Sequence, residues 1–322
     1  MSKTKKLVLI CSSVAVFLVA FVLATFYDLE ISRAIAQLSG ESYYSKNLFA
    51  VIFECVGESP LYIVCGVGAG IITRYFFSLK NKYLRVVLAV VFAILGVYCY
   101  ATISKRIVKY VCQNTSSIDL YNKVKTYIKL GSYVVGAGLM VLTLYLVNKI
   151  PSEHIPYLLA FAIASVLTLA IAMGFVQGVK GVFGRQRYRT IKVLEYNGMN
   201  ELVNYTKWFV LNGSRKPTAE MLALGIASDG YKSFPSGHTC AGAMIILIYF
   251  IPDCLNMEGK KKAKAKGILL AVSLAYTFAI ALSRVVMGAH YATDVLFAWG
   301  ITYLVAFLSF KLGRFITSKI TK

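Results

Sequence analysis

Eight apolar runs set the terms on which this chain can fold. They lie at about 7–26, 57–77, 85–104, 129–148, 156–177, 238–252, 267–287 and 291–311. A helix needs about 20 apolar residues to cross a bilayer core, and most of these runs come near that length. The run at 238–252 is short and needs its flanks, or a buried position, to span. Within lipid every backbone N–H and C=O has to be satisfied inside the chain, so such runs fold as helices. The expected fold class is therefore an all-α integral membrane protein, a helical bundle of about eight spans. Hydrophobic residues make up 58% of the chain and the mean hydropathy is +0.66, which excludes an ordinary soluble domain. No Gly-, Pro- or Ser-rich linker and no repeat interrupts the chain, so a single membrane domain over 1–322 is expected.

The formal net charge is +21, a value that invites a nucleic-acid reading. The positions of the charges exclude it. Lys3, Lys5 and Lys6, then Arg74, Lys80, Lys82 and Arg85, then Lys260, Lys261, Lys262, Lys264 and Lys266, then Lys311, Arg314, Lys319 and Lys322 all lie beside spans. They mark the even-side loops and both termini as cytoplasmic under the positive-inside rule. The partners expected are membrane lipids and no nucleic acid. One stretch disagrees: 105–126 falls on the outer side, yet it holds Lys105, Arg106, Lys109, Lys123 and Lys125. The seven cysteines have no metal-ligand spacing and read as packing residues. The N-terminal run lacks a clear small-residue cleavage site and reads as an uncleaved first span.

The polar residues concentrate in three places. Lys180 and Arg187 follow the fifth run. Pro235-Ser236-Gly237-His238 closes a long polar insertion, 180–237, and opens the sixth run. Ser283-Arg284, His290 and Asp294 join the seventh run to the eighth. Two spans and a lysine-rich loop separate the second place from the third, so all three come to one membrane face. Lysine offers phosphate a point charge and arginine a planar two-donor fork. Ser236 suits an N-cap, and Gly237 lets an anion approach the backbone. His290 and Asp294 are four apart, which on one helix face lets the carboxylate take the imidazole N–H and fix its tautomer. The other ring nitrogen is then free to attack phosphorus. Three cations at one site oppose a bound divalent metal and neutralise phosphate charge in its place, so neither a metal nor another cofactor is expected.

This ordered set, over 180–294, resembles the type 2 phosphatidic acid phosphatase superfamily. The resemblance implies a helical membrane phosphatase with a six-span core. It also implies roles: His290 as nucleophile, Asp294 as its orienting partner, His238 as general acid, and Lys180, Arg187, Arg284, Ser236 and Gly237 as phosphate ligands. The family usually has proline after the first-motif arginine, where this chain has Tyr188. It usually has three spans before the first motif, where this chain has five. A lipid phosphate or diphosphate is the expected substrate, of the phosphatidic acid, phosphatidylglycerol phosphate or polyprenyl diphosphate type. Its hydrolysis proceeds through a phosphohistidine, on the outer face of the plasma membrane if the source is a bacterium. Two other classes fit the same anion site: phosphoryl transfer to a lipid or sugar acceptor, and transport. Transport draws on the extra spans and on the acidic pair Glu54 and Glu58.

Overall fold

The computed structural model describes residues 3–115 and 117–320. The side chains of Lys3, Lys5, Lys6 and Lys322, which belong to the terminal basic clusters, lie outside the described set. The described chain contains helices and no strand. In order they are α1 (Lys3–Ile35), α2 (Leu48–Val56), α3 (Ser59–Phe77), α4 (Lys82–Asn114), α5 (Ile118–Asn148), α6 (Ile155–Thr168), α7 (Gly174–Phe183), α8 (Tyr188–Tyr196), α9 (Ala219–Ala223), α10 (Gly237–Ala243), α11 (Ile251–Cys254), α12 (Gly259–Val286) and α13 (Ala292–Ile320). A π turn, Leu169–Met173, joins α6 to α7, and a 3₁₀ stretch, Met244–Phe250, joins α10 to α11.

Among the described residues, eight helical segments are long and apolar enough to cross a membrane, and each contains or overlaps one of the eight apolar runs. The protein is an all-α, multi-pass membrane protein. The sixth segment, Gly237–Cys254, is the short one. Its 3₁₀ stretch rises about 2.0 Å per residue where an α-helix rises about 1.5 Å, so the same residues reach further. The basic stretch 105–126 is not a loop. α4 continues to Asn114 and α5 begins at Ile118, so Lys105, Arg106 and Lys109 sit on a helix. Hydropathy drew these spans short because charged side chains interrupt the apolar run while the backbone stays helical.

The chain groups into two compact units, each discontinuous in sequence. Three of the five crossings between them lie inside helices α7, α12 and α13, and the other two lie at the starts of α2 and α10. One unit comprises residues 1–47, 177–236 and 284–298; the other comprises 48–176, 237–283 and 299–322.

In the first unit the polar insertion is folded back on its own helices. Asn212 Nδ2 donates to the Phe183 carbonyl at 2.9 Å, and the Gly213 amide to the Val182 carbonyl at 3.0 Å, which satisfies carbonyls left open at the end of α7. Gly184 has φ +49°, a left-handed turn that only glycine adopts without strain, and it crosses directly against the Gly213 carbonyl. Trp208 packs on Phe21, Phe234 and Phe297, and its indole N–H donates to Thr25 Oγ1 at 3.0 Å. Tyr43, Val193, Leu194, Met221 and Ile226 form a small buried core.

The second unit is built on α3, α4, α5 and α6, whose buried side chains include Leu61, Val64, Ile71, Val147, Leu158 and Phe161. Gly136 brings α5 against the Val97 carbonyl of α4, the close backbone approach by which membrane helices gain packing without a hydrophobic driving force. Tyr100 and Thr143 share a buried hydrogen bond of 2.8 Å across the same pair.

Candidate active site

The first unit brings together Lys180, Arg187, Ser236, Arg284, His290 and Asp294. Gly237 and His238 belong to the second unit and follow Ser236 directly along the chain. Lys180 lies in the last turn of α7, and Arg187 precedes α8. The two are therefore not on one continuous helix; the turn at Gly184 separates them. Arg284 ends α12 as a fully buried side chain. Its carbonyl accepts the amides of Ala289 and His290 at 3.1 and 3.2 Å, which closes the loop that presents His290. Gly288 makes this loop possible, with φ +64°.

His290 is buried, 2% exposed. Its Nδ1 lies 2.5 Å from the Ser233 carbonyl. A carbonyl can only accept, so Nδ1 carries the proton and Nε2 keeps its lone pair. Asp294 Oδ2 stands 3.7 Å from Nδ1, an ion-pair neighbour and not a hydrogen-bond partner. This corrects the expectation that Asp294 takes the imidazole N–H. α13 begins at Ala292, so His290 precedes the helix and the i,i+4 geometry does not apply. The Asp294 oxygens are already engaged. Oδ1 accepts from Arg185 at 2.6 Å, and Oδ2 accepts from Ser233 Oγ at 2.5 Å and from the Tyr291 amide at 2.9 Å. Asp294 thus acts on His290 at one remove, by fixing Ser233, and the Ser236 amide bonds the Asp294 carbonyl at 3.1 Å.

Arg185 is the residue that ties these pieces together, and it is 1% exposed. Besides Asp294 it bonds Asp28 at 2.9 Å and the Thr206 carbonyl at 2.8 Å, and it lies 4.0 Å from the Tyr291 ring centroid. Asp28, from α1, accepts the Thr293 amide at 2.9 Å and so caps the start of α13. Two carboxylates around one guanidinium satisfy a charge that costs several kcal/mol to bury alone, about 3–5 when a partner is removed. Arg187 pairs with Asp229 at 2.8 Å and bonds its carbonyl at 3.0 Å, and Arg189 approaches the other Asp229 oxygen at 3.8 Å. Burial pushes the Asp229 carboxyl up, but the charges of Arg187, Arg189 and Lys180 overcome it and hold the group well below the usual range. Burial pushes the His290 imidazole down to about 3; the neighbouring Asp294 carboxylate opposes this, while Arg187 and Lys180 push the same way as burial. His290 is a neutral base at any ordinary pH.

In the second unit His238 Nδ1 lies 3.4 Å from Glu58 Oε1, and Arg106 bonds the other Glu58 oxygen. The Tyr110 ring centroid is 5.4 Å from that of the imidazole. Glu54 is separately engaged by Asn114 at 2.7 Å, and a helix break between α2 and α3 separates the two glutamates. Among the described residues no group of three or more His, Cys, Asp or Glu side chains converges as a metal site.

Sequence reading passed over Asp28, Asp229 and Ser233, and took Arg185 only as a neighbour of Arg187. Asp28 had a signal, a carboxylate inside an otherwise apolar run. Ser233 had none, because it works partly through its backbone.

A family model described as the PAP2 superfamily matches residues 161–317. Over those residues the chain is similar to the PAP2 superfamily. The PAP2 segment contains Lys180, Arg187, Ser236, Gly237, His238, Arg284, His290 and Asp294, together with Arg185, Asp229 and Ser233. Asp28, Glu58 and Arg106 lie upstream of it. The PAP2 match implies phosphatase-type activity on phosphate esters. Comparison with curated proteins and with solved structures finds no match.

Proposed function

We propose that the protein is a metal-independent membrane phosphatase that hydrolyses a lipid phosphate or diphosphate through a phosphohistidine. The observation that carries this reading is the state of His290: buried, neutral, with Nδ1 held by the Ser233 carbonyl and Nε2 left as the nucleophile. Lys180, Arg187 and Arg284 supply the positive charge that the transferring phosphoryl group requires. Ser236 and Gly237 complete its binding. Nε2 of His290 attacks phosphorus in line, the bond to the leaving oxygen breaks, and His238 gives that oxygen its proton. Water then attacks phosphorus and its proton passes to His238, the P–N bond breaks and returns its electron pair to Nε2 of His290, and inorganic phosphate leaves. Glu58, beside Nδ1 of His238, keeps that proton donor aimed. The site works on the outer face, so the dephosphorylated lipid stays in the membrane.

The test is phosphate release from a panel of lipid phosphates in detergent with a chelator present. Wild type releases phosphate. His290→Ala lowers kcat by about 10⁴-fold or more, as loss of a covalent nucleophile does, while eluting as wild type in gel filtration. Release that needs a divalent metal, or that persists in His290→Ala, overturns the mechanism.

A further inference from the structure

Among α3, α4 and α5 the second unit holds a cleft of about 450 Å³. Five of its lining residues come from α4: Tyr98, Thr102, Lys105, Arg106 and Lys109. They recur at spacings of three and four, so they share one face of that helix. Tyr62 of α3 and Tyr121 of α5 also line the cleft, and no carboxylate does. Arg106 lies 5.7 Å from the Tyr62 ring centroid and bonds Glu58, so its charge is already answered. The lysine charges are not. Among the described residues neither Lys105 nor Lys109 pairs with a carboxylate, and Lys105 Nζ lies 5.7 Å from the Tyr98 ring centroid. Like charges four apart on a helix repel unless an anion lies between them. Topology does not account for the pair either. By span order this end of α4 and the link between Cys254 and Gly259 face opposite aqueous phases. The basic residues that follow that link obey the positive-inside rule, so Lys105 and Lys109 run against it.

We propose that this cleft binds the phosphate group of an anionic phospholipid. The inference goes beyond the phosphatase reading and does not depend on it: every lining residue belongs to the second unit, and none is assigned a step in the reaction. Phosphate is the anion that matches the lining. The two ammonium groups offer it point charges, and tyrosine hydroxyls offer its remaining oxygens hydrogen bonds. The depth of the cleft points to a phosphate carried on a lipid. Tyr98 and Thr102 lie inside the apolar run 85–104, whereas Lys105 and Lys109 lie beyond its end. A free ion gains nothing from the apolar end. A phospholipid sets its phosphate among the lysines and its glycerol backbone beside Tyr98 and Thr102. Tyrosine favours the interfacial depth at which head groups lie, and a basic pocket between transmembrane helices suits an anionic one. The Tyr100–Thr143 hydrogen bond already joins α4 to α5. A head group held among α3, α4 and α5 adds a tie between all three.

The experiment titrates three probes onto the full-length protein in uncharged detergent at fixed ionic strength: dioctanoyl phosphatidylglycerol, dioctanoyl phosphatidylcholine and inorganic phosphate. Phosphatidylglycerol is a phosphodiester, so a phosphomonoester hydrolase leaves it intact. The proteins are wild type, Lys105→Gln/Lys109→Gln and Lys105→Arg/Lys109→Arg, each eluting as wild type in gel filtration. Arg106 is left in place because it also holds Glu58. Phosphatidylglycerol binds wild type and raises its melting midpoint. Phosphatidylcholine, whose choline cancels the charge, binds about tenfold or more weakly. The glutamine variant loses about tenfold or more in affinity for phosphatidylglycerol, the worth of one charge-assisted contact, and the arginine variant keeps it. Inorganic phosphate binds wild type and the glutamine variant alike. Inorganic phosphate binding that weakens with the lysines, while phosphatidylglycerol binding does not, makes the occupant a free ion and overturns the lipid assignment. Equal affinity of phosphatidylglycerol for wild type and the glutamine variant, or of the two lipids for wild type, overturns the site. Loss of binding in the arginine variant overturns recognition by charge. Phosphate release by wild type and His290→Ala is read in its own assay, so the phosphatase reading stands or falls separately.

Discussion

His290 is defined by what surrounds it more than by its own chemistry. The Ser233 carbonyl takes the Nδ1 proton, and Ser233 is itself held by Asp294 through its hydroxyl and by the Arg185 carbonyl through its amide at 3.0 Å. Burial then lowers the imidazole pKa from the ordinary 6.5 to about 3. Between those two values an unfolded chain binds a proton at this position and the folded one does not. Stability therefore rises with pH across that window and is lost as pH falls through it. The nucleophile also stays unprotonated well below neutrality. In protein labelled with ¹⁵N at histidine, His290 should keep the pattern of a neutral ring protonated at Nδ1 at pH 5. An imidazolium pattern at pH 5 would show that Asp294, and not the Ser233 carbonyl, governs the ring.

The loop between α12 and α13 carries the nucleophile, and its shape depends on one backbone position. At Gly288 the chain is left-handed, and an added Cβ would meet Leu38 Cδ1 at 2.5 Å and the Arg189 amide at 3.2 Å. The Gly288 carbonyl also accepts that amide at 2.8 Å. Gly288→Ala therefore carries the left-handed cost of about 1–2 kcal/mol and a clash besides. The expected outcome is an apparent melting midpoint lowered by several degrees in detergent together with reduced kcat, since His290 moves with the loop. An unchanged midpoint would mean that the loop tolerates another conformation. This element also marks the limit of what the sequence reveals. The spans were legible because lipid leaves the backbone no alternative to helix. The three motifs were legible because cations and histidines are rare beside apolar runs. The internal geometry of the third motif was not, because a spacing of four speaks of a helix face only once the helix has begun, and α13 begins two residues after His290. Nor could any spacing disclose the clamp of Arg185 on Asp28 and Asp294, whose members lie 157 and 109 residues from it.

Across the whole molecule, sidedness follows from the order of the spans. The segments that bear the site, 197–236 and 287–291, follow the fifth and the seventh spans, while the link between Cys254 and Gly259 follows the sixth. Whichever way the first helix enters, the link and the site face opposite aqueous phases. Counting basic residues alone obscures this, because the insertion is rich in arginine. Much of that charge is already matched: Arg185 by Asp28 and Asp294, Arg187 and Arg189 by Asp229. Charges balanced in this way are poor guides to topology, whereas the lysine run at the start of α12 keeps the sign that holds a segment in the cytoplasm. Lys262 and Lys266 share Asp253 at 2.9 and 2.6 Å, but Lys260, Lys261 and Lys264 add to the excess. An epitope inserted after Lys216 should therefore be reached by antibody on intact cells, and one inserted after Lys261 only after permeabilisation. The reverse pattern would put the site in the cytoplasm. Labelling of both on intact cells would mean that no span separates them, and the sixth span would have to be withdrawn.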